Sequence, residues 1–188
     1  MNRLTTLRTV AAAALVVAAA VVAPAQQTAP PTTRPAAKPA ALARADGEFI
    51  QTVAKGGMAE VALGELAGRQ AKADEVKKFG RRMVDDHDKA NQELTQLARD
   101  KSVELPKEPD RTQQGMHDRL SKLTGEAFDR AYVEEMVKDH RKDVKAFEQE
   151  AGRAKDPDLK AWIDKILPTL REHLREIENI SAKVLAKK

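Results

Sequence analysis

From residue 46 onward, apolar residues recur every three to four positions, the spacing that lines one face of an α-helix. Phe49, Val53, Gly57, Glu60, Gly64 and Ala67 follow it, flanked by Ile50, Val61 and Leu63. They predict a helix over about 46–71 with Asp46 as its N-cap. Val76, Phe79, Met83, His87, Ala90, Leu94 and Leu97 predict a second helix over about 73–101. "VELPKEPDR" ends it, with Pro106 and Pro109 as breakers. Met116 and Leu120 mark a short helix near 112–122. Thr124 followed by Glu126 reads as a helix start. Phe128, Tyr132, Met136, His140, Val144 and Phe147 then predict a helix over about 125–153. A last helix, about 157–186, carries Leu159, Trp162, Ile166, Leu170, His173, Ile177 and Ile180. Asp156 caps it, Pro157 takes the first helical position and Pro168 should kink it.

Four long amphipathic helices, two tight hairpins and one long middle connection predict an all-α, ferritin-like four-helix bundle with a short extra helix in that connection. A helix of this length spans about 40 Å. The twenty-odd residues of 102–124 can return along it if half are extended, at about 3.3 Å each. Both a crossover and an up-down-up-down bundle therefore stay open. The halves also match at an offset of 83: Val61 with Val144, Ala71-Lys72 with Ala154-Lys155, Val76 with Leu159, and Phe79 with Trp162. That pattern suggests a duplicated helical hairpin.

The pattern before residue 46 is different. Arg3 and Arg8 precede an apolar run from Val10 to Val22, and Ala23-Pro24-Ala25 follows as a small-residue cleavage signal. Residues 1–25 therefore read as a secretory signal peptide cut after Ala25, the run being too short for a comfortable membrane span. Residues 26–45 hold prolines at 30, 31, 35 and 39 among Ala and Thr, and read as a flexible linker. The domain is then 46–188, in the periplasm or secreted, with no transmembrane span in the mature chain.

Composition narrows the function. The net charge of +4 suggests a polyanion partner until it is divided. Residues 1–45 hold five of the 33 basic residues and no acid, which leaves 28 against 29 acids in the rest. With aromatics at only 3%, the domain has neither the basic face nor the stacking platform of a nucleic-acid binder. The absence of cysteine excludes disulfides, thiolate metal sites and thiol catalysis.

Four histidines are present, and three follow an acid directly. "MVDDHDKA" at 83–90 returns as "MVKDHRKD" at 136–143, and "REHLRE" stands at 171–176. His87, His140 and His173 each fall on the apolar stripe of a different helix, and Glu60 falls on the stripe of the first. Gly57, Gly64 and Ala67 around Glu60 leave room for a polar group or a close helix approach. One inward polar residue from each of four helices is what a metal site in a bundle core needs, and imidazole with carboxylate suits iron, copper, zinc or manganese. Asp86, Asp139, Asp143 and Glu172 are the supporting acids. The same residues can equally form a metal-free polar network, since a buried carboxylate needs a partner in either case. His117 should be solvent-exposed. The Glu-x-x-His pairs of di-iron proteins are absent: Val84, Val137 and Leu170 stand three before the histidines. No catalytic triad or phosphate loop appears, so an enzyme is not expected.

At "GGMAEVALGELA", "FGRRMVDDHDKANQEL", "YVEEMVKDHRKDVKAFEQEA" and "ILPTLREHLREI" the chain resembles the exported bacterial family of domains of unknown function numbered forty-one forty-two. Its members are often labelled outer membrane proteins. The resemblance covers about 46–186. It implies a ferritin-like fold, export and no established activity, with inward acid and histidine positions at Glu60, Asp86, His87, Asp139, His140 and His173. Two roles stay open: a transition-metal binding module, or a structural or envelope-stress protein whose surface meets an envelope partner. Oligomeric state is not legible.

Overall fold

The computed structural model describes residues 42–186, all helix and connecting turns. The helices are α1 (Arg44–Gln70), α2 (Asp74–Asp100), α3 (Arg111–Ser121), α4 (Gly125–Arg153) and α5 (Pro157–Ala186). The leader and nearly all of the linker lie outside the described residues. No helix among those described is long and apolar enough to cross a membrane.

Helix boundaries follow the predicted stripes to within two residues. α5 starts as expected: the Asp156 carboxylate accepts from the amides of Asp158 and Leu159, and Pro157 leads the helix. The helix continues unbroken through Pro168. α3 is held by a reciprocal cap, in which Asp110 Oδ1 accepts from the Gln113 amide and Gln113 Oε1 accepts from the Asp110 amide.

Asp46 corrects the prediction. The N-cap of α1 is Ala43, and Asp46 sits inside the first turn, 2% exposed. Its Oδ2 accepts from the amides of Lys155 and Asp156 in the turn between α4 and α5, at 3.0 and 2.9 Å. Asp129, near the start of α4, does the same for the turn between α1 and α2. Its two oxygens accept from the amides of Lys72 and Ala73, at 3.0 and 2.8 Å. Asp129 follows Asp46 by 83 positions, and Lys155 and Asp156 follow Lys72 and Ala73 by 83. The duplication seen in the apolar pattern is therefore also a pair of reciprocal clamps, each hairpin holding the other's turn.

These clamps fix the path of the chain. α1 and α2 form one antiparallel hairpin, and α4 and α5 the other. Asp129 places the start of α4 beside the end of α1, whereas α2 ends at the opposite pole, where Lys101 pairs with Asp156 and Asp158. The connection after α2 must travel the length of the molecule, and α3 does so while packed on α1. α2 and α4 consequently run in the same direction, and α2 meets α5 while α1 meets α4. Of the two topologies left open by sequence, the crossover is the one observed.

The core lies in two apolar clusters. One is built on Leu63, Phe79, Met83, Phe128, Tyr132, Met136 and Ile177. The other holds Phe49, Ile50, Leu94, Phe147, Leu159, Trp162 and Leu170. On every long helix the residue between the clusters is polar: Glu60 on α1, His87 on α2, His140 on α4 and His173 on α5. α1 and α2 approach closely just beside this layer. A Cβ on Gly64 would stand 2.5 Å from the Gly80 carbonyl oxygen, and one on Gly80 would stand 2.7 Å from that of Gly64. Only glycine at both positions allows that contact.

Candidate metal centre

The polar layer brings the four predicted inward residues together. Glu60, His87, His140 and His173 are 3%, 6%, 0% and 1% exposed. The three imidazoles face one another, with ring centroids 5.5, 5.6 and 6.1 Å apart. Phe79 sets its edge against His140 and His173 on the side of the first cluster. One ring nitrogen from each histidine lies within 4.8 Å of the other two.

Each ring meets an oxygen through one nitrogen, by a hydrogen bond for His140 and His173 and by a close carboxylate for His87. His140 Nδ1 lies 3.0 Å from the Met136 carbonyl oxygen. A carbonyl only accepts, so Nδ1 carries the proton and Nε2 the lone pair. His173 Nε2 lies 2.7 Å from Asp86 Oδ2, and His87 Nδ1 lies 3.0 Å from Glu60 Oε2. The remaining nitrogens, His87 Nε2, His140 Nε2 and His173 Nδ1, are buried and have no hydrogen-bond partner. Glu60 Oε1 is likewise buried without one, because His140 Nε2 at 3.6 Å is beyond hydrogen-bond reach.

The electrostatics favour neutral imidazoles. Burial, then the neighbouring histidines, pushes His87 down to about 3, and burial followed by His173 pushes His140 to about 4. His173 is also lowered, mainly by burial, although its bond to Asp86 opposes the shift. Neutral imidazole is the form that ligates a metal. Glu60 moves the other way: burial, and after it the charges of Asp143 and Asp139, raises it well above the carboxylate range.

The supporting acids divide into three groups. Asp86 does not serve His87, its neighbour in sequence, but reaches across to His173 on α5. Burial alone would raise Asp86, yet hydrogen bonds from His173 and Arg82 outweigh it and hold the carboxylate low. Arg82 also bonds Glu172 Oε2 at 3.0 Å and Glu176 Oε2 at 2.6 Å. Glu172 is therefore an outer partner of the arginine that steadies Asp86. Asp139 and Asp143 turn toward Glu60, and the three carboxylates each offer an oxygen within 4.8 Å of the others. Burial raises Asp139 and carries Asp143 up to about 7, with the Asp139 charge adding to the latter. His117 stands apart on α3, half-buried and 3.8 Å from Asp118.

Arg82 was not singled out by the sequence pattern. Its signal is the four-residue spacing to Asp86, which stacks the two on one face of α2. The cavity of about 170 Å³ that adjoins Glu60 and His87 was also not legible. It opens between α1, α3 and α4 beside Asp139, Lys142 and Asp143.

Comparison with solved structures finds the same fold elsewhere. A DUF305 fragment from Deinococcus radiodurans superposes with a TM-score of 0.68 at 12% identity, covering 77% of this chain and 99% of that one. CopM in the Cu(I)-bound form gives 0.60 at 18%, covering 71% and 93%. CopM in the Ag-bound form gives 0.59 at 19%, with the same coverage. At these identities the likeness is one of fold. No curated protein matches the chain. A family model does match, over residues 31–180, which is most of the chain, and by that match the protein belongs to the family described as domain of unknown function (DUF4142).

Proposed function

We propose that the protein is an exported metal-binding module, a ferritin-like four-helix bundle that holds one transition-metal ion at mid-height. The observation that carries this reading is the set of three buried imidazole nitrogens, from three helices, left without hydrogen-bond partners. Each such atom costs about 1–3 kcal/mol if nothing binds it. A cation that accepts all three lone pairs removes that cost. His87 Nε2, His140 Nε2 and His173 Nδ1 would be the ligands, each ring being oriented through its other nitrogen. That is the usual support for metal-bound histidine. With Glu60 ionised, His87 Nδ1 donates to it, and a nearby cation favours that ionised state. Glu60 then supplies a negative charge beside the bound ion.

Copper is the first ion to test. Imidazole sites bind Cu(II) most strongly among the divalent first-row ions. The Cu(I)- and Ag-bound neighbours share the fold and support the choice. Export rests on the leader at 1–25, and recovery of a chain starting at Gln26 from the envelope fraction would establish it. The di-iron motif is missing, so binding rather than oxygen chemistry is proposed.

The test is elemental analysis of protein purified without chelators or a histidine tag, followed by titration with copper, zinc, iron and manganese. One ion per chain, lost in His140→Ala with the helical fold intact, supports the reading. Refusal of all four metals overturns it. In that case a second reading gains, favoured by the Asp86–His173 hydrogen bond and the Glu60–His87 contact: a metal-free polar network in a protein that acts through its surface. It predicts that replacing all three histidines with Gln leaves the cellular role intact.

A further inference from the structure

Asp139 and Asp143 lie one turn apart on α4, and burial in the same environment raises both carboxyls. They face Glu60 across the cavity of about 170 Å³ between α1, α3 and α4. A water takes about 30 Å³ in the liquid, so this space holds a cation together with several waters. The three carboxylates each bring one oxygen within 4.8 Å of the others.

Acid clustering alone would not indicate a ligand. The second observation concerns the inner wall. Glu60 is 3% exposed, lines the cavity, and its Oε1 has no hydrogen-bond partner. His87 lines the same cavity, and its Nε2 is equally unpartnered. The inner wall therefore carries a buried carboxylate with an unsatisfied oxygen, and two further carboxylates stand beside it. Two lysines line the cavity, Lys55 and Lys142, and neither is buried.

We infer that Glu60, Asp139 and Asp143 form a second cation site, lined by oxygen and distinct from the histidine set, that takes a hard divalent ion of the calcium or manganese class. The donor chemistry selects the ion. Carboxylates and residual water suit hard cations, whereas the adjoining imidazoles suit softer ones. Glu60 sits between the two sites: its Oε2 lies 3.0 Å from His87 Nδ1, and the residue also lines the cavity. It links them without making either depend on the other for its remaining ligands.

Trp162, the single tryptophan, lines the cavity and supplies the assay. Terbium(III) is a hard ion whose emission is sensitised by a nearby indole. Titration of the full chain with terbium should give saturable emission at one ion per chain, competed by calcium or manganese. Asp139→Asn with Asp143→Asn should weaken it at least tenfold, whereas His140→Ala should leave it within about twofold. Absence of saturable emission, or emission unchanged in the double variant, overturns the proposal. If the double variant does not fold, Asp143→Asn alone and calcium competition in the wild type decide on the same criteria. Failure here is separable from failure of the histidine reading, because copper binding by the double variant reports only on the latter.

Discussion

Replacing Gly64 with alanine tests the closest contact in the fold and its bearing on the site. The new Cβ would lie 2.5 Å from the Gly80 carbonyl oxygen and 3.1 Å from both Met83 Cβ and Val84 Cγ2. The first neighbour is backbone, so no side chain can swing aside. α1 and α2 must separate by roughly 0.5–1 Å, and overpacking of this kind costs about 1–3 kcal/mol or more. Alanine also returns up to about 1 kcal/mol of helix propensity. The net expectation for Gly64→Ala is a loss of about 1–2 kcal/mol. Gly68 is the internal control. It lies one turn further along α1 with no atom near its added Cβ, so Gly68→Ala collects the propensity gain alone. The two variants should differ by about 2–3 kcal/mol, or on the order of 5–10 °C in melting temperature for a chain of this size. Thermal and urea unfolding followed by circular dichroism measure it. Glu60 lies one turn before Gly64, so Gly64→Ala should also weaken copper binding, whereas Gly68→Ala should not. Equal stability of the two variants would refute the close helix contact and the explanation of the small residues that rests on it.

Three further expectations follow from the same geometry. Asp86→Asn keeps the shape but weakens the hold on His173, and should lower copper affinity by about 10–100-fold with little change in helicity; unchanged affinity by competition titration would detach Asp86 from the site. Asp143 is raised from 3.8 to about 7, so between those pH values the folded chain keeps a proton that the unfolded chain releases. Stability therefore falls as pH rises through that window, and Asp143→Asn should match the wild type near pH 4 but exceed it by about 1–3 kcal/mol at pH 8 without added metal. A variant no more stable at pH 8 would contradict the buried, repulsive environment. Asp46→Ala and Asp129→Ala each leave two backbone amides of a turn without acceptors, and each should cost about 2–4 kcal/mol in chemical unfolding. A large effect from one and none from the other would argue against equivalent clamps.

Helix positions and inward faces were legible because both depend on local periodicity. A residue three or four places from Phe79 or Met136 shares its face whatever the rest of the chain does. On that basis Glu60, His87, His140 and His173 could be assigned to the core, and the family resemblance agreed with the family match that places the chain in DUF4142. The small residues around Glu60 left a polar group or a close helix approach open, and Gly64 against Gly80 is the close approach.

Partner choice was not legible in the same way. In each acid–His pair the acid points about 100° around the helix from its histidine, so the motif does not name the acid's partner. Asp86 instead reaches His173 on α5, while Asp139 and Asp143 turn to Glu60 on α1. Asp46 resembled a local cap and proved to hold a turn 109 residues away. Such pairings depend on the axial stagger and rotation of one helix against another, which the crossover between α2 and α4 and the two aspartate clamps set. The sequence by itself determined which residues enter the core layer; the tertiary structure decided which nitrogen of each histidine is used, which is left over, and that three carboxylates share a cavity beside them.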